Sequence, residues 1–209
     1  MSIVHKAWPF DYDAFEKEFG PTLESALVTG EIGPIRAFID RFHGNMWDGW
    51  EETPLTADWE RVLLERSQRF GHKNSDAEWY GDHALTRYYR FDEEMGLGYS
   101  WSVLLAYLRT VPRVRGVAED FVMGFPFGPE DRPFDPGKQG TGFMRASVVQ
   151  SYHRILETTA FPDPPPPGSE LYRDCVYADE NAADALAQLR TLFASAVEAN
   201  KGLMFTDFQ

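Results

Sequence analysis

Apolar residues recur along this chain at the spacing of amphipathic helices, most clearly in three segments. Residues 181–199 carry an apolar stripe at the 3.6-residue period, formed by Ala182, Ala185, Leu186, Leu189, Phe193, Ala196 and Val197. Asp179 and Glu180 precede this segment, while Lys201 and Gly202 follow it, where a cation and a left-handed cap favour a helix end. Similar stripes predict helices over 144–158 and over 101–111, the second ended by Pro112.

Shorter patterns complete the predicted secondary structure. Further helices are predicted over 11–19, 23–29, 34–43 and 58–66, and the capping-box pair Ser75 and Glu78 opens another short helix. Strands are predicted over 84–91, 120–125 and 203–208. This pattern predicts a helix-rich α+β domain with a small, mostly antiparallel sheet.

We expect one globular domain over residues 1–209, because this length suits one core of generous size. Residues 161–168 contain four consecutive prolines, which favour an extended polyproline II run. We interpret this run as a stiff connector. The alternative is a docking segment for a proline-binding groove, which would suit a scaffold subunit.

Charge is unevenly placed along the chain. Residues 1–60 hold twelve acidic and four basic side chains, residues 61–160 hold thirteen of each, and residues 161–209 hold eight acidic and three basic. The formal net charge is −13. Such a distribution repels nucleic acid and anionic membranes and attracts a basic protein partner.

The compartment is predicted from cysteine usage and from the first residues. Cys175 is the single cysteine, which excludes a disulfide within the chain and a cysteine-based zinc site and is typical of a reducing compartment. No apolar run follows the charged first residues, so we expect no secretory signal. These features predict a cytoplasmic protein.

A glycine-rich segment before the 144–158 helix is a candidate anion site. Gly137, Lys138, Gly140 and Gly142 could turn backbone amides toward a phosphate. The spacing departs from both the P-loop and the dinucleotide-binding fingerprint, so an ordinary loop is the leading interpretation.

Other catalytic and metal-binding signatures are weak. The densest group of ligand-type residues is His72, Asp76, Asp82 and His83, which lacks a local pair such as H-x-x-x-H, so we expect no metal. No serine lies in a G-x-S-x-G elbow. Cys175 follows Asp174, which opposes thiolate formation, and we interpret it as a packing residue. No cofactor is expected.

The segment 45–52 places two tryptophans among carboxylates. Trp47 and Trp50 could supply buried area at an interface, while Asp48, Glu51 and Glu52 could select a basic partner. The alternative is that both rings fold back into the core. The two interpretations make opposite predictions for the exposure of the indole rings.

The tail of the chain resembles a known family. Residues 187–205 look like the end of the YfbM-like bacterial domains of unknown function, in which an amphipathic helix is followed by a glycine turn and a short apolar strand. The resemblance covers about a tenth of the chain and transfers no catalytic residue.

Together these features predict an acidic, non-catalytic protein-binding domain of bacterial type. Its concrete form would be an immunity-type protein that neutralises a basic toxin, with Trp47, Asp48, Trp50, Glu51 and Glu52 at the binding face. The alternative is a small enzyme that binds a phosphorylated or nucleotide ligand at the 137–142 loop.

Overall fold

The computed structural model of the chain describes residues 4–48, 53–70, 75–131, 133–134 and 142–208. In chain order its strands and α-helices are β1 (Val4–Phe10), α1 (Tyr12–Glu18), α2 (Gly20–Thr29), α3 (Gly33–Phe42), β2 (Trp47–Asp48), β3 (Thr53–Pro54), α4 (Trp59–Phe70), α5 (Asp76–Leu85), α6 (Trp101–Leu108), α7 (Ala118–Met123), β4 (Phe143–Met144), α8 (Ala146–Thr158), α9 (Ala182–Glu198) and β5 (Gly202–Phe208). Short 3₁₀ helices lie at His43–Asn45, Phe91–Glu93, Arg115–Val117 and Glu170–Tyr172. The predicted helix-rich α+β class is confirmed.

A three-stranded antiparallel sheet lies at the centre, in the order β1-β5-β4. Trp8 of β1 pairs with Met204 of β5, which in turn pairs with Phe143 of β4. Because successive strand residues point to opposite faces, each face of this sheet presents its own set of apolar side chains.

Helices cover both faces of the sheet. On one face, Ala7 and Phe205 join a core with buried residues of α6, α7, α8 and α9. On the other, Phe10 and Phe143 join a second core with buried residues of α1 to α5. The β5 run Leu203–Phe205 is therefore buried on both sides, which explains why it is continuously apolar.

The strongest helix predictions are confirmed, and their caps explain the boundaries. Asn181 caps α9 by accepting a hydrogen bond from the Ala183 N–H at 2.9 Å. Ser75 and Glu78 form the predicted capping box at the start of α5. The left-handed position after α9 is Asn200, at φ 51°, and not Gly202 as predicted. Gly202 is needed for another reason, since a side chain there would overlap the Met144 carbonyl of the neighbouring strand.

Two predicted strands are wrong. The capping box starts a helix that continues to Leu85, and the chain then turns, with the Tyr88 N–H donating to the Leu85 carbonyl at 2.8 Å, so 84–91 is not a strand. Residues 118–123 form α7, and Gly124, at φ 65°, ends it. Phe125 alone keeps a strand-like contact, an isolated bridge to Phe143.

The start of the proline run packs against the core that contains α6, α7, α8 and α9. The Tyr107 hydroxyl donates to the Pro162 carbonyl at 2.5 Å, and the Arg190 guanidinium stacks over Phe161 at 5.1 Å. These contacts fix the start of the run, which links α8 to the Glu170–Tyr172 turn that precedes α9.

Candidate protein-binding surface

The clearest candidate surface is a short hairpin formed by β2 and β3. Trp47 pairs with Pro54, and Asp48 pairs with Thr53. The Trp47 side chain is 39% exposed. Residues 49–52, which connect the two strands in sequence, lie outside the described residues. Trp50, Glu51 and Glu52 are among them.

The base of this hairpin is fixed to the second core. Met46 and Leu55 are buried and joined by a backbone hydrogen bond of 2.9 Å. The Trp47 N–H donates to Thr86 Oγ1 at 2.9 Å, and that hydroxyl donates to the His83 carbonyl at 2.7 Å. The backbone at Trp47 is thus attached to the C-terminal end of α5. An aromatic ring presented from a fixed backbone loses little conformational entropy on binding.

The Asp48 side chain is buried, whereas that of the adjacent Trp47 is exposed. Its side chain is only 3% exposed, and it belongs with His83 and Thr86 to the small set of buried polar side chains in the described part of the chain. The His83 ring packs edge-on against Trp79, with ring centroids 5.1 Å apart. A carboxylate at this depth interacts with groups inside the fold, because an ionised group is costly to bury without partners. Trp47 is therefore the exposed residue of β2, opposite the exposed Thr53 and Pro54 of β3.

Charges that are separated in sequence meet in space. Glu16 is paired with Arg145, and Glu18 with Arg87 at 3.0 Å, so arginines from the neutral middle of the chain neutralise acids near its start. Two further acidic residues of the first sixty are paired with nearby arginines, in the ion pairs Arg36–Glu60 and Arg61–Asp58. Within the described residues, Asp13, Glu24 and Glu31 have no ion pair. The negative field of this segment is therefore weaker than its sequence indicates.

Most of the candidate anion loop lies outside the described residues, including Gly137, Lys138 and Gly140. Gly142 is described, and its role is packing. Phe125 and Phe143 exchange two backbone hydrogen bonds of 3.0 and 2.8 Å beside it, and a Cβ on Gly142 would overlap the Phe125 carbonyl. This close approach explains one glycine of the motif without a ligand. Anion binding at this loop stays a prediction.

Gly142→Ala should destabilise the protein by about 1–3 kcal/mol, the usual range for overpacking. The added methyl group meets backbone atoms of Phe125, which cannot move aside as a flexible side chain would. Urea unfolding of the wild type and the variant measures this. Gly116→Ala is a matched control, because a Cβ at Gly116 meets nothing within 4 Å. Equal stability of all three proteins would show that Phe125 does not approach Gly142 this closely.

Ligand-type residues do not gather into a metal centre in the described ranges. No group of three or more histidine, cysteine, aspartate or glutamate side chains could hold a metal ion there. His72 lies outside these ranges, and His83 is buried.

His5 is a buried group that the sequence analysis did not single out. Its Nε2 lies 2.6 Å from the Val122 carbonyl, and its Nδ1 accepts from the Leu97 N–H at 3.2 Å. Burial lowers its pKa to about 4. With Nδ1 accepting, Nε2 carries the proton, so a neutral imidazole joins β1 to α7 and to the segment before α6.

Cys175 is half-buried, and its thiol donates to the Ser102 carbonyl at 3.4 Å. Burial raises the pKa of this thiol, which opposes formation of the nucleophilic thiolate. This environment favours the packing role expected from the sequence.

A shallow groove of about 440 Å³ lies between the end of α2 and the start of α5. Leu27 and Ala77 contribute apolar surface, while Ser75 and Glu78, also in the lining, already bond each other in the capping box. Polar groups that are satisfied within the fold give a ligand few fixed partners, so this groove does not favour the enzyme alternative.

None of the helices in the described ranges is both long enough and apolar enough to span a bilayer. Comparison with family models, curated proteins and solved structures gave no match for this chain. The resemblance of its tail to YfbM-like domains therefore stays a prediction.

Proposed function

We propose that this chain is a non-catalytic protein-binding domain of a bacterial, cytoplasmic protein, and that its partner is a basic protein. In its concrete form, the domain is an immunity-type protein that covers the basic active-site surface of a toxin. The observation that carries the proposal is the exposed indole of Trp47, presented on a hairpin whose base is hydrogen-bonded to Thr86.

Trp47 has the properties of an interface anchor. Tryptophan is enriched among the few residues that dominate binding energy, and loss of such a residue costs about 2 kcal/mol or more. Three of the six tryptophans, Trp8, Trp59 and Trp79, are instead buried. Because tryptophan is strongly enriched among binding hot spots, an exposed indole on a hairpin with a fixed base supports a role in recognition.

The carboxylates next in sequence support a basic partner. Glu51 and Glu52 follow Trp47 within five residues. Among the described acidic residues of the first sixty, Asp13, Glu24 and Glu31 have no ion pair. A surface that combines an aromatic anchor with negative charge attracts a cationic surface over a distance and then buries the ring.

Trp47→Ala should accelerate dissociation of the complex by roughly 30-fold, the equivalent of about 2 kcal/mol. Glu51→Lys with Glu52→Lys should instead slow association, and the association rate of the wild type should fall as salt rises, because screening shortens the reach of charge. Surface plasmon resonance against the product of the neighbouring gene, at about 0.05 M and about 0.5 M salt, measures both rates.

Leu64→Ala is the matched control, since this α4 side chain is 45% exposed and should not alter either rate if the hairpin is the binding face. The proposal fails if the two proteins do not associate. It also fails if they associate but the Trp47 and Glu51/Glu52 variants bind as the wild type does.

A further inference from the structure

A second surface lies in the segment from Gly168 to Ala178. The Gly168 N–H donates to the Ala178 carbonyl at 2.8 Å, which brings the two ends of this eleven-residue segment together. Tyr172, in its middle, is fully buried in the α6–α9 core. A compact loop with joined ends, packed by its own side chains, is an Ω-loop. We refer to it as the 168–178 loop.

Several contacts hold this loop in one conformation. The Cys175 N–H donates to the Tyr172 carbonyl at 2.9 Å, and the Cys175 thiol donates to the Ser102 carbonyl of α6. Just beyond the loop, Glu180 accepts from the Ser100 hydroxyl at 2.8 Å. Side chains carried by such a loop are pre-organised, so little entropy is lost when a partner binds them.

Apolar side chains are concentrated at the surface of this loop. Val176 is 52% exposed and Leu171 is 37% exposed. Tyr99, which is 43% exposed, packs against Tyr177 with ring centroids 4.7 Å apart. These three are among only seven large hydrophobic residues that are exposed in the described part of the chain. Two of them lie on this loop and Tyr99 packs against it, which indicates an interaction surface, because single scattered apolar residues need no such explanation.

The charges on the loop favour a basic partner. Glu170 and Asp174 extend into solvent, and Arg173 lies between them, at 3.5 Å from one carboxylate and 3.8 Å from the other. One guanidinium shared by two exposed carboxylates leaves net negative charge, and neither pair has ideal geometry. Asp179, also exposed, follows directly after the loop.

We propose that the 168–178 loop, together with Tyr99, is a second docking surface for a protein segment that carries an apolar side chain flanked by lysine or arginine. The loop belongs to the α6–α9 core, whereas the hairpin belongs to the core on the other face of the sheet. The proposal is therefore independent of the hairpin. A second copy of this chain is disfavoured as the occupant, because it would bring like charges together.

The probe is a fluorescein-labelled peptide with a central Leu-Trp-Leu flanked by arginines. Two matched peptides replace either the arginines with glutamine or the Leu-Trp-Leu with Ser-Gly-Ser. Fluorescence anisotropy measures binding, and the rate of Cys175 alkylation by iodoacetamide reports on the loop itself, because this is the single cysteine of the chain. The arginine peptide should bind more tightly than both matched peptides and should slow alkylation.

Loop variants should change affinity in opposite directions. Val176→Ser should weaken binding of the arginine peptide by about tenfold through loss of apolar contact. Glu170→Gln with Asp174→Asn should weaken it and reduce its salt dependence, whereas Arg173→Gln should tighten it roughly twofold to fivefold. A gain in affinity with an unchanged melting temperature separates this effect from damage to the fold. Leu64→Ser, at an exposed position of α4, a helix that packs in the other core, should leave peptide binding and alkylation unchanged.

Three results would overturn this inference. The first is no binding of the arginine peptide to the wild type. The second is binding that leaves the alkylation rate of Cys175 unchanged, which would place the peptide elsewhere. The third is equal affinity for the wild type and the Val176→Ser and Arg173→Gln variants. None of these results bears on the hairpin, whose own test uses a different partner and different substitutions.

Discussion

Replacing Phe193 with alanine should lower the free energy of unfolding by about 3–5 kcal/mol, the usual loss for a buried phenylalanine. Phe193 lies on the apolar stripe of α9 and has no exposed surface. Its ring packs edge-on against Phe121, with centroids 5.6 Å apart, and is stacked at 6.5 Å with Tyr152. Truncation would leave a cavity where α9 meets α7 and α8.

Urea unfolding and thermal melting measure this loss. For a domain of this size, the melting temperature should fall by about 10 °C, at roughly 2–4 °C for each kcal/mol. Thr191→Ala is the matched control, because Thr191 lies on the exposed side of the same helix and makes only a local hydrogen bond to the Ala187 carbonyl. If Phe193→Ala unfolds at the same temperature as this control, the apolar stripe of α9 is not packed in the core that it shares with α6, α7 and α8.

Acidification should destabilise the wild type partly through His5. Because its pKa is about 4 in the folded protein against 6.5 for an unperturbed histidine, the unfolded chain binds an extra proton between these pH values. The contribution of neutral His5 to the free energy of unfolding is fully present above pH 6.5 and is lost as the pH falls toward 4. The loss approaches about 3 kcal/mol, at about 1.4 kcal/mol for each pKa unit.

The comparison that isolates this effect is with His5→Gln. Glutamine keeps a donor for the Val122 carbonyl but has no group that titrates in this range. The variant should be less stable than the wild type at pH 7, since the Leu97 N–H loses its acceptor, yet its stability should fall less between pH 6.5 and 4. Contributions from carboxylates are common to both proteins. Parallel pH profiles of the free energy of unfolding would show that His5 is not buried in its neutral form.

Local signals predict the helices well, because a helix depends largely on its own sequence. The 3.6-residue stripe of α9 and the Ser75–Glu78 capping box are both present in the structure. Each of these features is set within a few residues along the chain, so no knowledge of distant partners is needed.

Strands depend on partners that the local sequence does not reveal. β1 contains His5, Lys6 and Pro9, a composition that argues against a strand, and it was not predicted. It forms because β5, nearly two hundred residues away, pairs with it along its whole length. Residues 84–91 show the opposite case, since an alternating pattern without a partner strand becomes a turn after α5.

The candidate site shows the same limit. The sequence drew attention to Trp47 and Asp48 together, but the structure exposes the first and buries the second. The difference depends on Thr86, which holds the Trp47 backbone from almost forty positions away. Likewise, the arginines that neutralise Glu16 and Glu18 come from the part of the chain that has no net charge. Exposure and pairing are tertiary properties, and counts along the sequence do not contain them.

The central claim is that the Trp47 hairpin is a binding face, and amide hydrogen exchange of the complex with the neighbouring gene product tests it most directly. The backbone of residues 46–55 should exchange more slowly in the complex than in the free protein, and this protection should be lost with Trp47→Ala. Helix α8, whose buried residues lie in the core on the other side of the sheet, serves as an internal comparison. A stable complex in which residues 46–55 exchange as fast as in the free protein would contradict the account.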